Sequence, residues 1–288
     1  MYAITGITGN VGGELARRLL AEGRPVRAVV RNAAKGEAWA ARGCDVALAE
    51  MHDAAALTRA FAGAEAAFVL LPPEFDPAPG YPEARRAIEA IVTALDAARP
   101  GAVLCLSTIG VDAPRDNLLT QHTLLKHALS ALPMPVTFLC PAWFLENSAW
   151  DVASARDEGV IRSFLQPLDK RIPMVATRDI GEVAARLIQE HRWGKRVVEL
   201  EGPSRVSPND LAAAFAKALG RPVRAEIVPR ESWEALFRAQ GAANPGPRIR
   251  MLDGFNQGWL DFADQGARAI KGSTGVEQVI AELVAARR

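Results

Sequence analysis

TGITGNVGGELARRLL, residues 5–20, decides the fold. It follows the short apolar run YAI at residues 2–4 and opens an amphipathic stretch, so it reads as the turn between a first strand and a first helix. Gly6, Gly9 and Gly12 stand three apart. In such a turn the first glycine permits the tight bend, the second lets a diphosphate approach the backbone, and the third lets helix and strand pack closely. The anion then meets free N–H groups at the positive end of a helix dipole. Glycines at this spacing also occur in ordinary strand-to-helix turns, so the surrounding pattern has to decide.

That pattern is an alternation of short β-rich runs with amphipathic ones: PVRAVVR, then AAKGEAWAARG, CDVALAE, DAAALTRAFAG, AAFVLLP, PEARRAIEAIVTALDAARP, AVLCLS, NLLTQHTLLKHALSALP and PVTFLC. Strands separated by helices pair in parallel, and AAFVLL and AVLCL are apolar without alternation, as strands covered on both faces are. The expected fold is α/β: a doubly wound parallel sheet of Rossmann type over residues 1–141, with a smaller α+β region over 142–288 that returns in part to the sheet. In the second half Thr177 precedes the helical stretch RDIGEVAARLIQEH. Ser207 with Pro208 starts NDLAAAFAKALG, which Gly220 and Pro222 end.

Composition narrows the function classes. The 288 residues carry a formal net charge of +1, with Lys and Arg scattered, so neither nucleic acid nor an anionic membrane is an expected partner. No apolar run reaches the roughly 18 to 20 residues of a membrane span. The first strand begins almost at Met1, which leaves no leader to cleave, and the expected location is the cytoplasm. Cys44, Cys105 and Cys140, with His52, His122, His127 and His191, show no ligand spacing, so no metal is expected. The partner expected is a small molecule, and the chain a monomer or a homodimer.

The end of the second strand sets cofactor preference, because the adenosine ribose lies against it. Arg31, Asn32 and Lys35 stand there, and no carboxylate appears until Glu37. Cations favour a 2′-phosphate, so NADP(H) is expected, with NAD(H) as the alternative and a merely solvated Arg31 as the plainer reading. The nucleotide-binding set is Gly6, Thr8, Gly9, Asn10, Val11, Gly12, Arg31, Lys35, Leu71, Pro72, Ser107, Lys126 and Pro141. Residues 50–53 are further candidates beside the adenine.

TGITGNVG (5–12), VVRN (29–32), VLLPP (69–73), LSTIG (106–110), PAWFLEN (141–147) and TRDIGEVAA (177–185) together resemble the NmrA-like members of the atypical short-chain dehydrogenase/reductase superfamily. The first motif is shared widely, whereas its combination with PAWFLEN and DIGEVAA is the more specific feature. The resemblance covers essentially the whole chain. It implies a Rossmann domain that prefers NADP(H) and a small C-terminal domain that forms a cleft above the nicotinamide. Members of that family include reductases of quinones, dyes and azo compounds, and also redox sensors that bind the cofactor without chemistry.

The superfamily's usual apparatus is a Tyr followed four residues later by Lys on the helix after the fifth strand, with a Ser near that strand's end. Here the only tyrosines are Tyr2 and Tyr81, and the helix reads NLLTQHTLLKHAL. His122 and Lys126 hold that spacing, and Ser107 and Thr108 end the strand. An imidazolium at His122 could donate a proton while Lys126 fixes the ribose; alternatively both side chains simply face solvent or the cleft edge. Trp143 and Phe144 follow the sixth strand, where open α/β sheets bind ligands, and are the expected acceptor contacts. Two functions fit: an NAD(P)H-dependent reductase of a conjugated acceptor such as a quinone, azo compound or enone, or a non-catalytic NADP(H) sensor.

Overall fold

A computed structural model describes residues 1–190 and 194–286; His191 lies outside the described residues. Strands and helices alternate strictly over the first half: β1 (Tyr2–Ile4), α1 (Asn10–Ala21), β2 (Val26–Val30), α2 (Ala33–Ala40), β3 (Asp45–Leu48), α3 (Ala54–Phe61), β4 (Ala66–Val69), α4 (Pro82–Ala98), β5 (Ala102–Leu106), α5 (Thr120–Ser130) and β6 (Val136–Pro141). The remainder comprises β7 (Trp143–Phe144), α6 (Val152–Asp157), β8 (Val160–Ser163), β9 (Met174–Val175), α7 (Thr177–Ile188), β10 (Lys195–Glu201), α8 (Pro208–Leu219), β11 (Arg224–Ile227), α9 (Trp233–Ala239), α10 (Gly246–Gln257), β12 (Ile270–Lys271) and α11 (Val276–Ala286). No described helix is long and apolar enough to cross a membrane.

The large sheet has eight strands in the order β12-β10-β6-β5-β4-β1-β2-β3. β1 pairs in parallel with β2 on one side and β4 on the other, with Tyr2 opposite Val26 and Ala66. The chain therefore winds outward in one direction through β2 and β3 and in the other through β4, β5 and β6. The switch point lies between β1 and β4, and there the carboxyl ends of an open parallel sheet leave a crevice.

By contact the described residues form two compact units, the first made of residues 1–111, 120–140, 180–190 and 194–198 and the second of 112–119, 141–179 and 199–286. In the first unit every residue of β4 is buried, and Leu57, Phe61, Ile91, Leu95, Leu125 and Leu129 of α3, α4 and α5 form one core with Val69, Val103 and Phe138 of the sheet. α1 buries Val11, Leu15, Ala16 and Leu19, a helical stripe. It ends where the Gly23 N–H meets the Leu20 carbonyl and the Arg24 N–H meets that of Leu19, with Gly23 at φ +71°. α7 crosses α1 at Gly181, where a β-carbon would stand 2.5 Å from that of Glu14.

Two segments depart from a single division at residue 141. Residues 180–190 belong with the first unit, where Arg18 pairs with Glu182 at 2.8 Å and Arg24 bonds Gln189 at 2.9 Å. Residues 112–119 belong with the second because the Leu118 N–H donates to the Pro247 carbonyl at 3.0 Å and Arg250 to that of Asp116 at 2.7 Å. In the second unit α8 starts after Ser207 and stops at Gly220, φ +66°, as its sequence predicts, and the structure adds a reciprocal capping box between Ser207 and Asp210. The start of α7 differs from its sequence reading. Thr177 is not the acceptor that caps it; its N–H and hydroxyl donate to the Glu146 carboxylate at 2.9 and 2.7 Å. A full negative charge suits a helix N-terminus better than a hydroxyl does.

Candidate functional site

The glycine turn is built from backbone. Thr5 is fully buried and ties the turn to β4, its N–H and hydroxyl both donating to the Phe68 carbonyl at 3.1 and 3.0 Å. Gly6 adopts φ +61°, and a β-carbon there would stand 2.7 Å from Leu70 Cδ2, so both conformation and space demand glycine. A β-carbon on Gly12 would stand 2.5 Å from the Gly6 carbonyl oxygen, which places the first turn of α1 directly on the turn's backbone. Gly9 precedes α1 in extended conformation, no side chain caps the helix, and its first turn holds no acid. Thr8, Gly9 and Asn10 are exposed, whereas the Val11 side chain is buried, so Val11 offers only its N–H. These N–H groups suit an anion, and the turn follows β1 at the switch point.

At the end of β2, Arg31 and Lys35 are exposed and have no partner among the described residues. Asn32 Oδ1 accepts the Ala34 N–H at 2.8 Å and so caps α2, whose first turn holds no acid. After β3, Asp53 is engaged similarly, accepting the Ala56 N–H at 2.9 Å as the cap of α3. Leu71 and Pro72, beyond β4, line a cavity of about 590 Å³ with Met51, His52 and the Ala87 and Ala90 side of α4. Gln121 closes one part of it by donating to the Glu74 carbonyl at 3.0 Å.

Ser107 follows β5. It is buried, its N–H donates to the Leu139 carbonyl at 2.7 Å, and its hydroxyl has no partner among the described residues. α5 buries Gln121, Leu125 and Leu129 and leaves His122 and Lys126 half-buried, one turn apart. His122 Nδ1 is buried without a partner, and burial pushes the ring's pKa down to about 4. Burial disfavours an imidazolium at His122, because a charge there loses its hydration without gaining an anion. His127 is exposed.

In the second unit, Pro141 is buried and Trp143 and Phe144 are half-buried in β7, which pairs with β9. The Trp143 ring meets Phe255 of α10 edge-on at 5.3 Å. Seven residues on, Trp150 is 69% exposed, and the Arg248 guanidinium lies 5.9 Å from its ring. Beside it Asp151 is largely desolvated, which raises its carboxyl pKa to about 6, and it has no side-chain partner among the described residues. Sequence reasoning missed Asp151 and Arg248. The one signal available was an acid directly after a tryptophan in the run that begins PAWFLEN. No cluster of three or more His, Cys, Asp or Glu suited to a metal exists among the described residues.

Comparison with known proteins shows the family and the fold. Residues 2–245 match the NmrA-like family. The chain is 29% identical over 243 residues to quinone oxidoreductase 2 of Escherichia coli (strain K12), covering 84% of this chain and 82% of that protein. It is 26% identical over 245 residues to an NAD(P)H azoreductase of Xenophilus azovorans, with coverages of 84% and 82%. The crystal structure of an NADPH-dependent quinone oxidoreductase from Escherichia coli complexed with NADPH is similar at a TM-score of 0.81 and 25% identity, covering 98% of this chain and 99% of that one. With its glycine turn, sheet order and family match in agreement, the chain belongs to the NmrA-like family.

Proposed function

We propose that this protein is an NAD(P)H-dependent reductase of conjugated small-molecule acceptors such as quinones, azo compounds or enones, with NADP(H) as the preferred cofactor. The observation that carries the reading is the Gly6–Gly12 turn. It combines a backbone cradle that a single β-carbon would fill with an uncapped helix N-terminus at the switch point of the sheet. The cofactor supplies a hydride when bound. N–H groups of Thr8, Asn10, Val11 and Gly12 hold the diphosphate beside Gly9, and Arg31 and Lys35, cations without a side-chain partner among the described residues, hold a 2′-phosphate. Leu71, Pro72 and Pro141 border the nucleotide. The Ser107 hydroxyl and Lys126 bind the ribose and carboxamide end. Similarity to a quinone oxidoreductase and an azoreductase supports the acceptor class.

Trp143 and Phe144 present flat apolar surface to an acceptor, and no tyrosine stands on α5. Conjugated acceptors delocalise the incoming charge and need little proton assistance in the hydride step, so a neutral His122 is compatible with turnover. In our reading the protein works in the cytoplasm as a monomer or homodimer.

The test is NADPH oxidation, followed by absorbance, with a panel of quinones, azo dyes and enones. Turnover above blank with at least one class supports the reductase. Tight NADPH binding without turnover on any class supports a cofactor sensor instead. Arg31→Asp should raise the KM for NADPH at least about tenfold and leave that for NADH within about twofold. Unchanged preference would remove Arg31 from the 2′-phosphate site.

A further inference from the structure

Arg248 is anomalous within the second unit. Every other described arginine there bonds an oxygen: Arg205 holds Asp261 at 2.7 Å, Arg230 holds Asp253 at 2.7 Å, and Arg250, two residues along α10, holds the Asp116 carbonyl at 2.7 Å. Arg248 has neither hydrogen bond nor ion pair among the described residues. Its guanidinium rests instead between two rings, 4.3 Å from the centre of Phe237 and 5.9 Å from that of Trp150. It is half-buried, and desolvation lowers its pKa from the usual arginine value. No ion pair joins it to Asp151, the acid next to Trp150.

A second, independent feature adds to this positive excess. Arg248 lies in the first turn of the twelve-residue α10, whose N-terminus has no side-chain cap and whose first turn has no acid. A cation at that end opposes the helix dipole, and the usual remedy is a nearby anion. No described residue provides one. The surroundings are aromatic and open only on the side of Trp150, which is 69% exposed; Phe237 and Phe255, the latter seven residues beyond Arg248 on α10 and in contact with Trp143, are buried. The helix rise from Arg248 to Phe255, against which Trp143 packs, is about 10 Å.

We propose that Arg248, set between Trp150 and Phe237, recognises a carboxylate, sulfonate or phosphate substituent on the aromatic acceptor, so that anionic conjugated compounds are the preferred substrates. The assignment rests on the reductase reading for its word substrate, but the anion site itself can be tested without turnover. The probe is naphthalene-2-sulfonate, which accepts no hydride, against the neutral 2-naphthalenemethanol. Binding to the full chain is read by tryptophan fluorescence and calorimetry, for the wild type, Arg248→Met and Arg248→Lys.

Wild type should bind the sulfonate at least about tenfold more tightly than the alcohol; Arg248→Met should erase that preference and Arg248→Lys restore part of it. With 1,2-naphthoquinone-4-sulfonate and 1,2-naphthoquinone as acceptors, the ratio of their kcat/KM values should fall by a similar factor in Arg248→Met. Equal sulfonate binding in Arg248→Met overturns the proposal. So does inorganic phosphate binding as tightly as the aryl sulfonate, which would make this a simple ion site. An equal loss of NADPH affinity also overturns it, by assigning Arg248 to the cofactor. If no quinone oxidises NADPH yet the sulfonate preference stands, the reductase reading fails and the anion site remains.

Discussion

Gly12 has no room for a methyl group. A β-carbon there would overlap the Gly6 carbonyl oxygen at 2.5 Å, and that oxygen is backbone, fixed by the Gly9 N–H at 2.9 Å and unable to swing aside. Gly12→Ala should therefore lever α1 off the turn, destabilise the fold by about 1–3 kcal/mol and weaken NADPH binding more than tenfold. Thermal melts with and without cofactor check both effects; a variant that binds NADPH normally would remove the close packing from the argument. Asp151 gives a different residue-level test. Its pKa is raised by burial to about 6, so between about pH 4 and 6 the folded chain holds a proton that the unfolded chain has lost. Its contribution to stability thus falls as pH rises through that window, and the charged form is a burden above it. His122 slopes the opposite way, because with a folded pKa of about 4 the unfolded chain binds the extra proton up to about pH 6.5. Substitution separates the two. Asp151→Asn should be more stable than wild type by about 1–2 kcal/mol at pH 8 in urea titrations and lose that advantage by pH 4. A constant offset across pH would mean that Asp151 titrates normally.

At the scale of elements, α7 shows what short-range sequence carries and what it omits. The helix itself is legible in TRDIGEVAARLI, and so is the capping box of α8, because Ser207 and Asp210 are three residues apart. Its cap is not legible, since Glu146 comes from 31 residues upstream and only the fold brings its carboxylate to the Thr177 N–H. Glu146→Ala should therefore cost about 1–3 kcal/mol, and Glu146→Gln, which keeps shape and an acceptor, about half as much. Equal melting of all three proteins would show the cap to be idle. The same distinction explains the rest of the reading. The strands and the glycine turn follow from apolar runs and residue spacing, which are local; the switch point follows from the strand order, which is not. The transfer of residues 112–119 to the second unit depends on Leu118 meeting Pro247, and the isolation of Arg248 depends on which carboxylates reached other arginines; both are settled by tertiary packing. Ser107 was legible as a strand-end residue, but its unpaired hydroxyl was not.

For the whole molecule, the formal net charge of +1 on 288 residues leaves no long-range field to gather charged ligands. The cations assigned to charged ligands are single groups among the described residues: Arg31 and Lys35 at the end of β2, and Arg248 on α10. Salt discriminates between these two cases, since the screening length is about 10 Å at 0.1 M and about 30 Å at 0.01 M. A neutral quinone feels neither a field nor a charged partner, so its kcat/KM should change by less than about twofold between 0.01 and 0.3 M NaCl. NADPH carries charge to exposed cations, and its KM should rise with salt in the wild type and rise less steeply in Arg31→Asp. The anionic quinone should fall between them, because a half-buried guanidinium is screened less than an exposed one. Steady-state kinetics on the three ligands at matched ionic strengths gives all the slopes in one series. A steep salt dependence for the neutral quinone would overturn this picture, since it would require conformational control by ions in place of local charge pairing.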